Sequence, residues 1–174
     1  MSIEDLTPIL SHLDSSRAGL LEIAQEIPNN RWQEAPSPGA WSTGEVIAHL
    51  IMVESRVVEV AKKTVAGPPV PTPLWKRAHL PVWLAEWRGF RAKTPIPLDQ
   101  SLVGDKQPML DSLAALRQRT LAFLEANRNR DLSAYRFPHP FFGSLNVYDW
   151  FRMIAHHEAR HTRQVREIVE FFQR

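Results

Sequence analysis

Residues 146–172 read NVYDWFRMIAHHEARHTRQVREIVEFF, and this stretch decides the fold. Asn146 can cap a helix, and Asp149 falls in its first turn, where a carboxylate suits the positive end of the helix dipole. Stepping by three and four residues from Trp150 selects Ile154, His157, His161, Gln164, Ile168 and Phe172. This is an apolar seam with two histidines at its centre. His156 falls on a different row with Arg160, Arg163 and Glu167, which reads as the solvated face.

Working outward, the same periodicity recurs three times. Leu6, Leu10, Leu13, Leu20 and Ile23 predict a first helix within Ile3 to Ile27, closed by Pro28-Asn29-Asn30. The prolines and glycine of residues 35–39 read as a loop. Ser42-Thr43-Gly44-Glu45 fits a capping box, so a second helix starts there. Its stripe of Val46, Leu50, Val53, Val57 and Val60 or Ala61 runs until Gly67, Pro68 and Pro69 forbid continuation. A third helix, with Pro108 in its first turn, carries Leu110, Leu113, Leu116, Leu121 and Leu124.

Between Gly67 and Lys106 lies a proline-rich stretch containing Trp75, Trp83 and Trp87, with room for a short helix around Val82 to Phe90. A connection this long in a helical domain is explained by a crossover along the bundle, which makes helices two and three run in the same direction. The expected fold is all-α: a four-helix bundle in one domain over residues 1–174, with minimal strand content.

His157 and His161, four residues apart, stack on one helical face and can direct ring nitrogens toward one point. His49 is the polar member of the inward group Val46, His49, Leu50 and Val53 on helix two. A buried imidazole must find a partner for each nitrogen, and a metal satisfies one directly. Three histidines with a fourth position open are the usual form of a catalytic zinc-type site. His49, His157 and His161 are therefore the candidate ligands of a divalent transition metal. Zinc or nickel is expected first, although imidazole also suits iron and manganese. Gln164 is a candidate to anchor the second nitrogen of a ligand histidine. His12 and His79 read as surface or loop residues, and His139 stands in a loop that could fold over the end of the bundle.

The chain of 174 residues is 44% hydrophobic, enough for one core, and holds no cysteine, which excludes disulfides, zinc fingers and cysteine nucleophiles. Any thiol chemistry needs an external thiol. The acidic N-terminus and the lack of a long apolar run predict a soluble, cytoplasmic chain without a membrane span. A net charge of +2, with scattered basic residues, argues against nucleic-acid binding. The expected partner is a small-molecule substrate. A homodimer is compatible with such a bundle.

His157-Glu158-Ala159-Arg160-His161 also matches H-E-x-x-H, the zinc motif of metallopeptidases. The extended motif needs a glycine and a histidine where this chain has Gln164 and Glu167, and helix geometry turns Glu158 about 100° away from His157. A peptidase reading is set aside, and the role of Glu158 stays open.

Residues 41–50 (WSTGEVIAHL) and 157–165 (HEARHTRQV) resemble the DinB superfamily of metal-dependent proteins, in particular its DinB_2-type members. Residues 139–145 (HPFFGSL) and Arg91-Ala92-Lys93-Thr94-Pro95 look similar to weaker features of that family. The resemblance implies an up-down-down-up bundle, with a metal held by His49, His157 and His161. Characterised members of that family include thiol-S-transferases that use glutathione, mycothiol or bacillithiol, and a thiol-dependent maleylpyruvate isomerase. The resemblance thus implies a metal-dependent thiol-S-transferase acting on small electrophiles, with a low-molecular-weight thiol as cosubstrate. A hydrolase using metal-activated water and a non-catalytic metal- or ligand-binding bundle are the alternatives.

Overall fold

Each helix begins where a local signal permits it. In the computed structural model, which describes residues 3–69, 72–73, 77–87 and 98–174, α1 spans Thr7–Gln25 with Pro8 in its first turn. It is shorter at both ends than the apolar pattern predicts, and at its start Asp5 folds back to accept hydrogen bonds from the Thr7 amide and hydroxyl. The capping box forms as expected. Ser42 Oγ accepts the Glu45 amide at 3.2 Å, Glu45 accepts the Ser42 amide at 2.8 Å, and α2 follows over Thr43–Ala66. Gly44 lies against Trp32, where a Cβ would stand 3.0 Å from the indole nitrogen, so a side chain here would crowd the tryptophan that packs on the start of α2.

α3 covers Lys106–Ala126, and α4 covers Val147–Phe172 behind the Asn146 side chain, which accepts the Asp149 amide at 2.9 Å. Strand content is small but not nil. β1 (Arg136–His139) and β2 (Gly143–Asn146) form an antiparallel hairpin directly before α4, with Phe137 opposite Leu145.

Side-chain pairs give the helix directions. Arg152 of α4 pairs with Glu4 just before α1, and Arg31 after α1 lies over Phe172, so α1 and α4 run together. Gln100 donates to Glu45, Arg117 to Glu54 and Arg130 to the Val65 carbonyl, so α2 and α3 also run together. Arg117 reaches the Leu13 carbonyl while Lys106 reaches that of Ile27, which sets α1 against α3. The bundle is up-down-down-up, as the long crossover requires.

The middle of the described crossover packs on α4, while its end at Gln100 and Gly104 lies against Glu45 and Trp32. Its short helix is a single 3-10 stretch, Val82–Glu86; residues 88–90 of the expected helix, Trp75 and Arg91 to Pro95 lie outside the described residues. Glu86 accepts from Arg163 and pairs with His156 at 3.0 Å, and Arg160 donates to the Trp87 carbonyl. The row of His156, Arg160 and Arg163 is therefore not a fully solvated face, because the crossover returns across it.

The core is divided by a charged layer. One apolar cluster gathers Leu13, Val57, Leu124, Phe151 and Ile154 with the hairpin, and a second gathers Leu20, Val46, Ile47, Leu110, Leu113 and Val165. Between them each helix contributes one ion: Arg17, Glu54, Arg117 and Glu158. Arg17 binds Glu54 at 2.5 Å and Glu158 at 2.6 Å; Arg117 binds the same pair at 2.9 and 3.0 Å. Each arginine also donates to a backbone carbonyl one turn before the other, Arg17 to Leu113 and Arg117 to Leu13. Thr120 and Ser16 hydroxyls complete the shell of the two carboxylates. Burial opposes the Glu54 charge, yet Arg117, Arg17 and Thr120 hold its carboxyl below the usual range. A closed ring of two cations and two anions is a tolerable way to bury charge, since every member is paired and hydrogen-bonded.

Candidate metal centre

His49 lies two turns into α2, and His157 and His161 lie one turn apart near the middle of α4. Since α2 and α4 are neighbours of opposite direction, the three rings meet in the space between them. His157 Nε2 lies 3.3 Å from His49 Nε2 and 3.2 Å from His161 Nε2, and the three residues can offer ligand atoms all within 4.8 Å of one another. An ion held tetrahedrally by imidazole nitrogens at about 2.0–2.1 Å sets those nitrogens about 3.3 Å apart. The two edges through His157 match that spacing, so the donor set suits such an ion.

Hydrogen bonding alone does not explain the arrangement. A neutral imidazole nitrogen has either one hydrogen or one lone pair, so His157 Nε2 must share it between two ring nitrogens and makes a full hydrogen bond to neither. His49 Nδ1 is buried with no hydrogen-bond partner among the described residues, so the cost of burying that ring must be met at Nε2. Gln164 Oε1 lies 2.9 Å from His161 Nδ1. The amide oxygen accepts the Nδ1 hydrogen and leaves the Nε2 lone pair facing the other two rings, the part expected for Gln164.

Burial disfavours charge on two of the three rings. Burial lowers the His49 pKa to about 4, and burial followed by His161 and His49 holds His157 well below its ordinary value. Neutral rings are the form that binds metal. Trp41 closes one side, its indole stacked on His161 at 6.4 Å and tilted over His49 at 5.1 Å. His49 and His161 are 5% and 7% exposed, and His157 is partly buried.

The other histidines stand apart from the triad. Against the expectation of a surface position, His12 is half-buried in α1, and its ring meets His156 edge-on at 4.7 Å. His79 pins the crossover, pairing with Asp149 at 3.2 Å and bridging to Gly143. His139 ends β1, its ring 4.9 Å from Trp150 of α4. Glu158, 1% exposed, commits both carboxylate oxygens to Arg17, Arg117 and Ser16. It is the ring's anion on α4 and does not face the triad, which removes the general base that the H-E-x-x-H reading needs.

Sequence reasoning missed Arg17, Glu54 and Arg117, which with Glu158 tie the four helices together. The signal was present in their spacing: Leu13-Arg17-Leu20, Leu50-Glu54-Val57 and Leu113-Arg117-Leu124 place each ion on an apolar stripe.

Residues 12–165 match the profile of the DinB superfamily. The chain belongs to the DinB superfamily. Among DinB relatives, the uncharacterized protein YuaE of Bacillus subtilis (strain 168) is 28% identical over 150 residues, spanning 85% of this chain and 89% of YuaE. The crystal structure of TT2238, a four-helix bundle protein, superposes with a TM-score of 0.55 at 24% identity, covering 94% of this DinB chain and 99% of TT2238. That likeness carries the bundle fold alone.

Proposed function

We propose that this DinB protein is a metal-dependent thiol-S-transferase in which His49, His157 and His161 hold the metal, a low-molecular-weight thiol is the nucleophile and a small electrophile is the acceptor. The observation that carries the reading is a convergent histidine triad with Glu158 turned away into the ring. A bound divalent ion supplies Lewis acidity that allows a thiol to lose its proton at neutral pH. Three neutral ligands leave that positive charge uncancelled. No carboxylate among the described residues joins the triad, and a thiol, unlike water, needs little help from a base once its pKa is lowered. Trp41 supplies an apolar wall that keeps solvent from His49 and His161.

Elemental analysis of protein purified without a histidine tag tests the centre. Near-stoichiometric metal is expected in the wild type, and none in a variant carrying His157→Ala and His161→Ala. The metal-loaded protein is then assayed with a chromogenic aryl halide and a panel of thiols. Turnover that requires both thiol and metal supports the transferase. Thiol-independent hydrolysis of an activated ester moves the protein to the hydrolases. Failure to take up zinc or nickel returns the histidines to a hydrogen-bonding role.

A further inference from the structure

His139 is held in a way that a merely structural loop residue does not need. Its Nδ1 accepts two backbone hydrogen bonds at the turn of the hairpin, from the Phe141 amide at 3.0 Å and the Phe142 amide at 3.2 Å. An imidazole nitrogen that accepts carries no hydrogen, so the turn fixes the neutral tautomer with its hydrogen on Nε2. The ring is clamped as well, edge-on to Phe142 at 4.8 Å and 4.9 Å from the Trp150 ring, whose own indole donates to the Phe137 carbonyl. Among the described residues nothing accepts from Nε2, and His139 is only partly buried.

Position gives this donor a use. Trp150 is two turns before His157 on the same face of α4, about 10 Å along the axis at 1.5 Å per residue. A charge on His139 is also felt at His157. Burial lowers the His139 pKa to about 4, so the ring stays an uncharged donor at neutral pH and does not repel a cation held at the triad.

We infer that His139 is a ligand-contact residue whose Nε2–H donates a hydrogen bond to an acceptor oxygen of the molecule seated at the triad, so that the preferred thiol carries a carboxylate or carbonyl a few bonds from its sulfur. The inference rests on the triad being a metal centre that takes thiols. In 3-mercaptopropionate the carboxylate oxygens lie four bonds from the sulfur, which extends a ligand seated at the triad toward His139. The thiolate, the carboxylate and the neutral imidazole are all in their stable forms at pH 7, so recognition needs no proton transfer.

The test uses the full chain loaded with cobalt(II), whose thiolate charge-transfer absorption reports binding of 3-mercaptopropionate and of 1-propanethiol. The wild type is expected to bind 3-mercaptopropionate about tenfold tighter or more, the scale of one hydrogen bond to a charged group. His139→Asn keeps an acceptor for the two turn amides and removes the Nε2 donor. It should bring the two thiols within about twofold of each other while leaving 1-propanethiol unchanged, which also shows that the centre is intact. Nitrogen-15 shifts of the imidazole should report the Nε2–H tautomer at pH 7, with or without metal. An Nδ1–H tautomer, equal affinities in the wild type or a preference retained in His139→Asn overturns the role of His139. If neither thiol binds, the transferase reading falls, and this inference falls with it.

Discussion

Burial governs what His49 and His157 can do. His49 is buried with its pKa depressed to about 4, so the unfolded chain binds a proton between pH 6.5 and 4 that the folded chain refuses. Its favourable contribution is complete above about pH 6.5 and is lost as pH falls toward 4. The loss is on the order of 3 kcal/mol across the whole window. Urea titrations of metal-free protein at pH 7 and pH 4.5 should show it, and His49→Gln should have a shallower dependence. The triad residues were legible because each is a polar intruder on an apolar stripe, and spacing alone puts two of them on one face. Glu158 was legible as a residue but not as a role. Its partners lie on α1 and α3, more than 40 positions away in sequence, where no local pattern can announce them.

At the level of elements, helix starts are local chemistry and could be read directly. The capping box places α2 with its first turn fixed, and His49 follows less than two turns later. Ser42→Ala should cost about 1 kcal/mol in chemical denaturation, and Glu45 alone should not restore it. The hairpin was not legible. Its strands are four residues each, β1 contains Pro138, and its pairing depends on Gly143 at a φ of +89°, so periodicity had too few positions to work with. The crossover was legible as a connection but not as a surface, because its grip on α4 runs through Glu86 and the Trp87 carbonyl rather than through an apolar stripe.

At the level of the molecule, the ring of Arg17, Glu54, Arg117 and Glu158 ties four helices at one height. Arg117→Met should destabilise the bundle by roughly 3–5 kcal/mol, because both carboxylates stay buried with half their compensation. Replacing all four ions with apolar residues of similar volume should be neutral or stabilising in the same denaturation assay. A large loss in the quadruple variant would show that the ions supply net stability rather than register. The bundle itself was foreseeable from four apolar stripes and one long connection. The layer that divides its core was not, since a single charge on a stripe resembles an error in the pattern until all four are seen together.

The ring and the triad share a further property: the crossover divides both, the ring two and two and the triad one and two. Residues before it supply Arg17, Glu54 and His49; residues after it supply Arg117, Glu158, His157 and His161. Severed within residues 67–105, the protein becomes two fragments, each carrying one matched cation and anion and an incomplete ligand set. Each fragment is the other's missing counterpart. Metal capture by the pair would then be a signal of fragment complementation, turning a structural bundle into a two-piece reporter.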